Sequence, residues 1–398
     1  MVDNKKGKLA NLLNNNITNI DKKTAPTKPK FNNNTNTNNN LNKYSKQAYN
    51  GLKNYGNTCY SNVVMQSIIT YKEFYYQLEI IVNKLTDKLD QKIIDSIFPA
   101  LYNLYMSMNF YINKNSALST KYLQTLAILF DPFQNQNDSH EYLIFILNKC
   151  HDEFLKLDNY LNEGINNNSK NSEDIYNETD SANNWEEVKL HGKRMKLTNK
   201  LSDFSNSFIT ELFGGILKHE IKKTGSSISN SNIEPFYILS IDSIHSNLEY
   251  SINNYFNKKE INGNSTIHQR SYLEKLPQLL ILQIKCFYLD KQKKEVLKDN
   301  RKIIYDSILH VNDCWLSPSQ KYDKNNLNIQ YELFSVIVHQ GSKISEGHYV
   351  CYCKDNLIQD ESTINNRWIY INDYTLIKVN KEDVYNHRPY LMFYKKIN

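Results

Sequence analysis

No two of the six cysteines are spaced C-x-x-C, which leaves neither a zinc knuckle nor a thioredoxin-like redox pair. They stand at 59, 150, 286, 314, 351 and 353, and Cys351 and Cys353 alternate along what reads as a strand, where they pack. No apolar run approaches the roughly 20 residues that a membrane helix needs, and no signal-peptide pattern opens the chain. Reduced thiols in the cytosol or nucleus are therefore expected, with no membrane partner. There is no internal repeat. Nor does the body carry an excess of charge. Of the formal +6, residues 1–48 hold nine Lys against two Asp, leaving 39 basic and 40 acidic residues elsewhere. That balance argues against a general polyanion grip, and so against a nucleic-acid partner.

What is present is enough apolar material for a sizeable core. Hydrophobic residues make up 40% and aromatics 12% of the 398 residues, compatible with one large domain or two ordinary ones. Residues 1–48 mix Lys, Asn, Thr and Pro and cannot bury enough surface to offset their chain entropy, so a disordered tail is expected. A folded unit is expected over 49–398, interrupted by an exposed polar insertion at about 160–200.

The first half reads as helix. Val64/Ile68 and Met65/Ile69 are i,i+4 pairs, which places a buried helix after Cys59, with Asn57 and Thr58 as candidate N-caps. A helical spacing runs from Ile93 to Met108, and Pro99 inside it should kink or interrupt it. Further helices are expected at Lys121–Leu129 and from Asp138–Ser139 through Phe154. From Phe236 onward the pattern is β: Phe236–Asp242, Leu276–Tyr288, Leu333–His339, His348–Cys353, Trp368–Ile371 and Tyr390–Tyr394. Helices first and antiparallel strands later is an α+β order.

Three residue types for one kind of chemistry lie far apart in the chain. At a helix N-terminus the macrodipole favours the anionic form of a thiol, so Cys59 fits a nucleophile; a buried structural cysteine fits the same stretch. His348 opens a strand after a Gly-bounded loop, and Asn372 and Asp373 end another strand. A thiol protease needs a thiolate, an imidazole to pair with it and shuttle the proton, and an amide or carboxylate to orient the ring. Each residue alone also has a bland reading, as a packed histidine or a helix-capping Asp138.

Taken together, the segments resemble the ubiquitin-specific proteases, the papain-like deubiquitinases. Gly51-Leu-Lys-Asn-Tyr-Gly-Asn-Thr-Cys-Tyr60 is similar to their cysteine box, and Gln136-Asn-Asp-Ser-His-Glu141 to their Gln-Gln-Asp segment. Phe213-Gly-Gly, Leu239-Ser-Ile-Asp242 and Leu276-Pro to Phe287 follow in the family's order. Val338-His-Gln-Gly to Gly-His-Tyr349 and Trp368 to Asp373 resemble the histidine box. The matches span roughly 50–395.

The resemblance implies a right-hand architecture, a papain-like α+β fold of helical thumb, β-rich palm and β fingers with the site between thumb and palm. It implies Cys59 as nucleophile, His348 as general base, Asn372 as third member with Asp373 assisting, and Asn54 as side-chain donor of the oxyanion hole. Asp138 would meet the basic tail of ubiquitin, and Gly341, Gly347 and Tyr349 would belong to the loop flanking the channel for its Gly-Gly end. Ubiquitin and ubiquitinated proteins are the implied partners, and the compact fingers are similar to those of relatives that need WD-repeat activators. A catalytically impaired ubiquitin-binding scaffold and a protease for a ubiquitin-like modifier are the alternatives; retention of Asn54, Cys59, His348 and Asn372 argues against the first. Three departures stand out. The family's first zinc pair falls on Lys223 and Ser226 and its second has no counterpart around 258–268, so no metal or other cofactor is expected. Asn137 replaces a Gln. Cys286 replaces an Arg.

Overall fold

The structure, a computed structural model, describes residues 50–86, 97–110, 121–166, 185–190, 193–198, 206–225, 229–243, 245–261, 266–290, 292, 294–322, 328–343, 346–354 and 367–397. The expected N-terminal tail, 1–48, lies outside these residues, as does much of the expected insertion.

Among the described residues five helices come first: α1 (Cys59–Ile69), α2 (Lys72–Thr86), α3 (Ile97–Phe110), α4 (Lys121–Phe130) and α5 (Ser139–Asn166). All eleven residues of α1 are buried, the polar Ser61, Asn62, Gln66 and Ser67 together with the apolar ones. Thr58 precedes it without capping through its side chain; its carbonyl instead accepts from the N–H groups of Ser61 and Asn62 at 3.1 and 3.0 Å. Tyr60 of α1 meets Tyr142 of α5 edge-on, with ring centroids 5.2 Å apart. Pro99 does not break its helix. With α3 beginning at Ile97, the proline sits in the first turn, where N–H groups have no intrahelical acceptor to lose. The helix start is fixed from outside, because Glu153 of α5 accepts from the Ile97 N–H at 2.6 Å.

Beyond the thumb helices the chain is mostly strand. The segment expected as a loose insertion begins as the last turns of α5 and contains β1 (Trp185–Leu190) and β2 (Lys193–Thr198). A short helix, Phe208–Leu212, is closed by a reciprocal Ser207–Thr210 capping box. Then follow β3 (Gly215–Lys223), β4 (Ser229–Phe236) and β5 (Ile238–Asp242), a helix Leu248–Phe256, β6 (Lys259–Ile261), β7 (Ile267–Lys275), β8 (Leu279–Lys285), β9 (Phe287–Asp290) and β10 (Glu295–Lys298). The last third adds β11 (Ile308–His310), β12 (Gln330–Gln340), β13 (His348–Lys354), β14 (Arg367–Asn372), β15 (Thr375–Asn380) and β16 (Leu391–Lys396).

These strands make a fingers sheet in the order β1-β2-β4-β3-β7-β6 and a palm sheet in the order β15-β14-β13-β12-β16-β8-β5, with β11 on β12. Phe236–Asp242, which reads as one strand, serves both sheets: β4 ends in the fingers at Phe236 and β5 starts in the palm at Ile238. The Leu276–Tyr288 run is likewise split, β8 staying in the palm while β9 pairs only with β10.

The palm sheet is buried on both faces, so successive side chains go to different cores. Ile337, Tyr349, Cys351 and Cys353 face the thumb helices, whereas Val336, Val338, Val350 and Tyr352 face a second core beneath Leu248–Phe256. The two strand cysteines therefore share one face, as their spacing predicts. Helix α1 packs directly on β12 and β13, and Ser67 meets Ser335 across that interface with hydroxyl oxygens 2.8 Å apart. The segment leading into α1 is seated on the turn after β14. A Cβ at Gly51 would lie 2.4 Å from three backbone atoms of Tyr374, which cannot swing aside as a side chain would. Gly51→Ala should therefore destabilise the protein by about 1–3 kcal/mol, read as a lower urea midpoint at unchanged slope.

Candidate active site

The site lies where α1 meets the palm. Cys59 is the first residue of α1, and β13, which packs against that helix, opens on His348. Strand β14 pairs with β13 and ends at Asn372. That pairing brings the His348 ring nitrogen Nε2 to 2.7 Å from Asn372 Oδ1. An amide oxygen accepts only, so Nε2 carries the proton and Nδ1 is left for the thiol. The imidazole pKa is raised to about 9, first by the hydrogen bond with Cys59 and next by that with Asn372; burial works in the opposite direction. Cys59 is 3% exposed, while the His348 side chain is 34% exposed. A buried thiol beside a ring held as imidazolium is an arrangement that can attack a carbonyl and then protonate a leaving amine.

Asp373 ties the cysteine box to this pair. Its carboxylate accepts from Asn54 Nδ2 at 3.0 Å and from Asn62 Nδ2 at 2.8 Å, and its backbone carbonyl accepts from the Leu52 N–H at 2.9 Å. One carboxylate oxygen is 3.8 Å from His348 Nε2 and contributes to the raised imidazole pKa. Asn54 is held at both ends. Its Oδ1 accepts from the Thr58 N–H and hydroxyl, each at 3.1 Å, while one of its two amide hydrogens goes to Asp373. Among the described residues the other amide hydrogen has no acceptor. Asn62 belongs to no motif that singles it out. Like Ser61, Gln66 and Ser67 it is a polar residue buried within α1, and nothing in the local pattern sets it apart from them.

The residues expected to bind substrate divide. Asp138 starts α5 by accepting from the His140 N–H at 2.7 Å, and it also accepts from the Tyr390 hydroxyl at 2.6 and 2.5 Å. Tyr390, which in the sequence is only the start of an apolar strand, thus orients the carboxylate. Gly341 has φ +126 and closes a tight loop base: a Cβ there would come within 2.7 Å of the Glu346 carbonyl oxygen. Gly347 has its carbonyl accepting from the Gln136 amide at 2.5 Å, so the Gln-Asn-Asp segment and the histidine loop are joined. Tyr349 is also among the residues expected to bind substrate. It is fully buried, with its ring between His339 and Tyr390, and it packs the floor of the loop. Cys286, in place of the family's Arg, is also buried, and burial pushes its thiol pKa up to about 11. No group of three or more His, Cys, Asp or Glu side chains among the described residues could hold a metal ion, and neither Lys223 nor Ser226 offers a zinc ligand.

A pKa raised from 6.5 to about 9 has a definite sign. The protonated pair adds stability that is complete below pH 6.5 and is lost as pH rises through about 9. Because the bond to Cys59 is the leading cause, Cys59→Ala should move the His348 titration, followed by histidine ring NMR, to lower pH. An unmoved midpoint would show that the two groups do not interact.

A family model described as ubiquitin carboxyl-terminal hydrolase matches residues 50–394. Among similar proteins, ubiquitin hydrolase B of Dictyostelium discoideum is 29% identical over 285 residues, covering 66% of this chain and 56% of that protein. Ubiquitin carboxyl-terminal hydrolase 10 of Rattus norvegicus is 26% identical over 400 residues, covering 87% of this chain and 48% of that protein. The chain thus spans about half the length of the curated relatives it matches. Among solved structures, the Ubp8/Sgf11/Sus1/Sgf73 module of SAGA bound to ubiquitin aldehyde aligns with TM-score 0.66 at 22% identity, over 89% of this chain and 71% of the matched one. The same module with a substituted Ubp8, bound to monoubiquitin, aligns with TM-score 0.66 at 19% identity, over 97% and 74%. That likeness is one of fold, the papain-like fold of ubiquitin-specific protease catalytic domains. With the family model covering most of its length, the chain belongs to the ubiquitin carboxyl-terminal hydrolase family, in its ubiquitin-specific protease branch.

Proposed function

We propose that this chain is a thiol-dependent deubiquitinase that hydrolyses the peptide or isopeptide bond after the C-terminal glycine of ubiquitin. The observation that carries the reading is the His348 ring, hydrogen-bonded to Asn372 at 2.7 Å and held protonated above neutral pH first of all by Cys59. In the first step the Cys59 thiolate attacks the carbonyl carbon and a tetrahedral oxyanion forms. The C–N bond then breaks as the His348 imidazolium gives its proton to the departing amine, leaving a thioester. A water molecule attacks the thioester while the now neutral imidazole takes its proton. Ubiquitin leaves as the carboxylate and the Cys59–His348 pair is restored. Asn372 orients the ring as an amide, which adds no negative charge, and Asp373 supports it from 3.8 Å.

The free amide hydrogen of Asn54 and the Cys59 N–H form the proposed oxyanion hole, where one donor is worth roughly 2.7–4 kcal/mol. With Cys59 only 3% exposed, an extended tail without side chains suits the approach, and two glycines meet that requirement. Asp138, already oriented by Tyr390, offers a carboxylate to a basic tail residue. The proposal places the reaction in the cytosol or nucleus and leaves room for an activating WD-repeat partner, both on the strength of the sequence alone.

A ubiquitin probe carrying a C-terminal electrophile should label Cys59 of the wild-type protein and should fail to label Cys59→Ser. A folded protein that takes no label would sink the enzyme reading, and one labelled only by a ubiquitin-like modifier's probe would replace the substrate. Asn54→Ala should lower kcat by about 10²–10³ while ubiquitin binding, measured in a Cys59→Ala background, changes little. An equal loss in both would remove Asn54 from the oxyanion hole.

A further inference from the structure

Behind the catalytic histidine lies a second histidine that the reaction above does not use. His339 is 5% exposed, near the end of β12, with its ring between Phe287 and Tyr349 at centroid distances of 5.5 and 4.8 Å. Its Nε2 faces Gly347, the residue just before His348. A Cβ at 347 would come within 2.4 Å of that nitrogen and 2.5 Å of the Gln340 carbonyl oxygen. The His339 ring is therefore the surface on which the chain rests as it delivers His348.

What holds the ring is an ammonium group from another element. Lys298, the last residue of β10, places Nζ 2.7 Å from the His339 carbonyl oxygen, 2.8 Å from the Gly341 carbonyl oxygen and 3.1 Å from His339 Nδ1. An ammonium has three N–H bonds and no acceptor, so these three contacts use it fully and make Nδ1 an acceptor. The proton of the neutral ring must then sit on Nε2, toward Gly347. No carboxylate approaches Lys298 within ion-pair distance among the described residues; neighbouring Asp299 is taken by Arg301 at 2.8 Å and Arg388 at 3.2 Å. Carbonyl oxygens, not a counter-ion, account for its placement.

We propose that Lys298 is a positioning residue for His348, acting through the His339 ring and the two ends of the Gly341–Gly347 loop. The groups facing His339 agree with this: burial first, and then the cationic Lys298 from β10 and His348 from β13, hold the His339 pKa down to about 4. Neutral at every working pH, the ring does not repel the imidazolium beside it. Lys298 also belongs to the β9–β10 ribbon, where it stands opposite Phe287, so one side chain ties that ribbon to the histidine loop.

The inference rests on the thiol-protease reading, and turnover of a fluorogenic ubiquitin amide by the wild-type protein tests that reading separately. Given wild-type turnover, Lys298→Met should lower kcat about tenfold per site labelled by the ubiquitin electrophile, with KM within about twofold. The alkaline limb of its pH–rate profile should move below the wild-type position near 9, because a displaced His348 loses the bonds that raise its pKa. An unchanged kcat, a loss carried by KM, or a limb that moves upward, as removal of a nearby cation alone would produce, overturns the proposal. Should Lys298→Met not fold, ring 15N NMR of the wild-type protein decides. His339 should be found with the proton on Nε2 and no titration down to about pH 5. A proton on Nδ1, or titration near 6.5, overturns it equally.

Discussion

The carboxylate of Asp373 is the contact on which the geometry of the site depends. It joins Asn54 and Asn62 to a strand end 319 and 311 positions away, and it does so from a buried position. A buried carboxylate is costly unless hydrogen-bonded, and two amide donors plus a nearby imidazolium meet that need. The residue has φ +48, an uncommon conformation for a non-glycine that Asp tolerates better than most. The left-handed turn sends consecutive side chains in different directions, Asn372 toward His348 and Asp373 toward the cysteine box. The same turn brings the Tyr374 backbone against Gly51, so the helix carrying Cys59 and the strands carrying His348 and Asn372 are fastened at one point.

With an amide rather than a carboxylate beside the ring, the charge on His348 has to be sustained from elsewhere. The Cys59 contact is the leading support, with the Asn372 hydrogen bond next and the Asp373 charge further down. The two groups thus support each other first, and the surrounding residues orient the ring. Asn54 fits the same pattern, since its amide is fixed by Thr58 and Asp373 before any substrate arrives. So does the histidine loop, anchored at Gly347 by Gln136 and at Gly341 by Lys298. Preformed donors need no reorganisation when charge develops, which is where their catalytic value lies.

Much of the fold was legible in the sequence, and the failures have physical causes. The palm strands announce themselves because burial on both faces demands nearly continuous apolar residues, and α1 does so through its i,i+4 apolar pairs, although Ser61, Asn62, Gln66 and Ser67 are buried with them. Periodicity, however, reports burial and not which sheet a strand joins. The breaks at Tyr237 and Cys286 fall inside apolar runs, so two strands read as one each time. Among the described residues α3 opens at Ile97, whose N–H is taken by Glu153 of another helix, so Pro99 falls in the first turn and is harmless. The polar composition of 160–200 hid the end of α5 and a strand pair, since strands at the rim of the fingers sheet can form from polar residues.

For the site, residue types and their order along the chain offered Cys59, His348 and either Asn372 or Asp373 for one reaction class, and the resemblance to a family chose Asn372 between the last two. A thiol, an imidazole and an amide have few other joint uses, and their local settings (a helix start, a strand after a glycine loop, a strand end) are written in short-range pattern. What only the tertiary structure decided is how each polar atom is satisfied. Tyr349 turned out to be core, Asp138 to be oriented by Tyr390, and Asn62 and Lys298 to hold pieces of the site that lie far away in sequence. Hydrogen-bond partners separated by hundreds of residues leave no trace in local periodicity. They are chosen only when packing has set the distances.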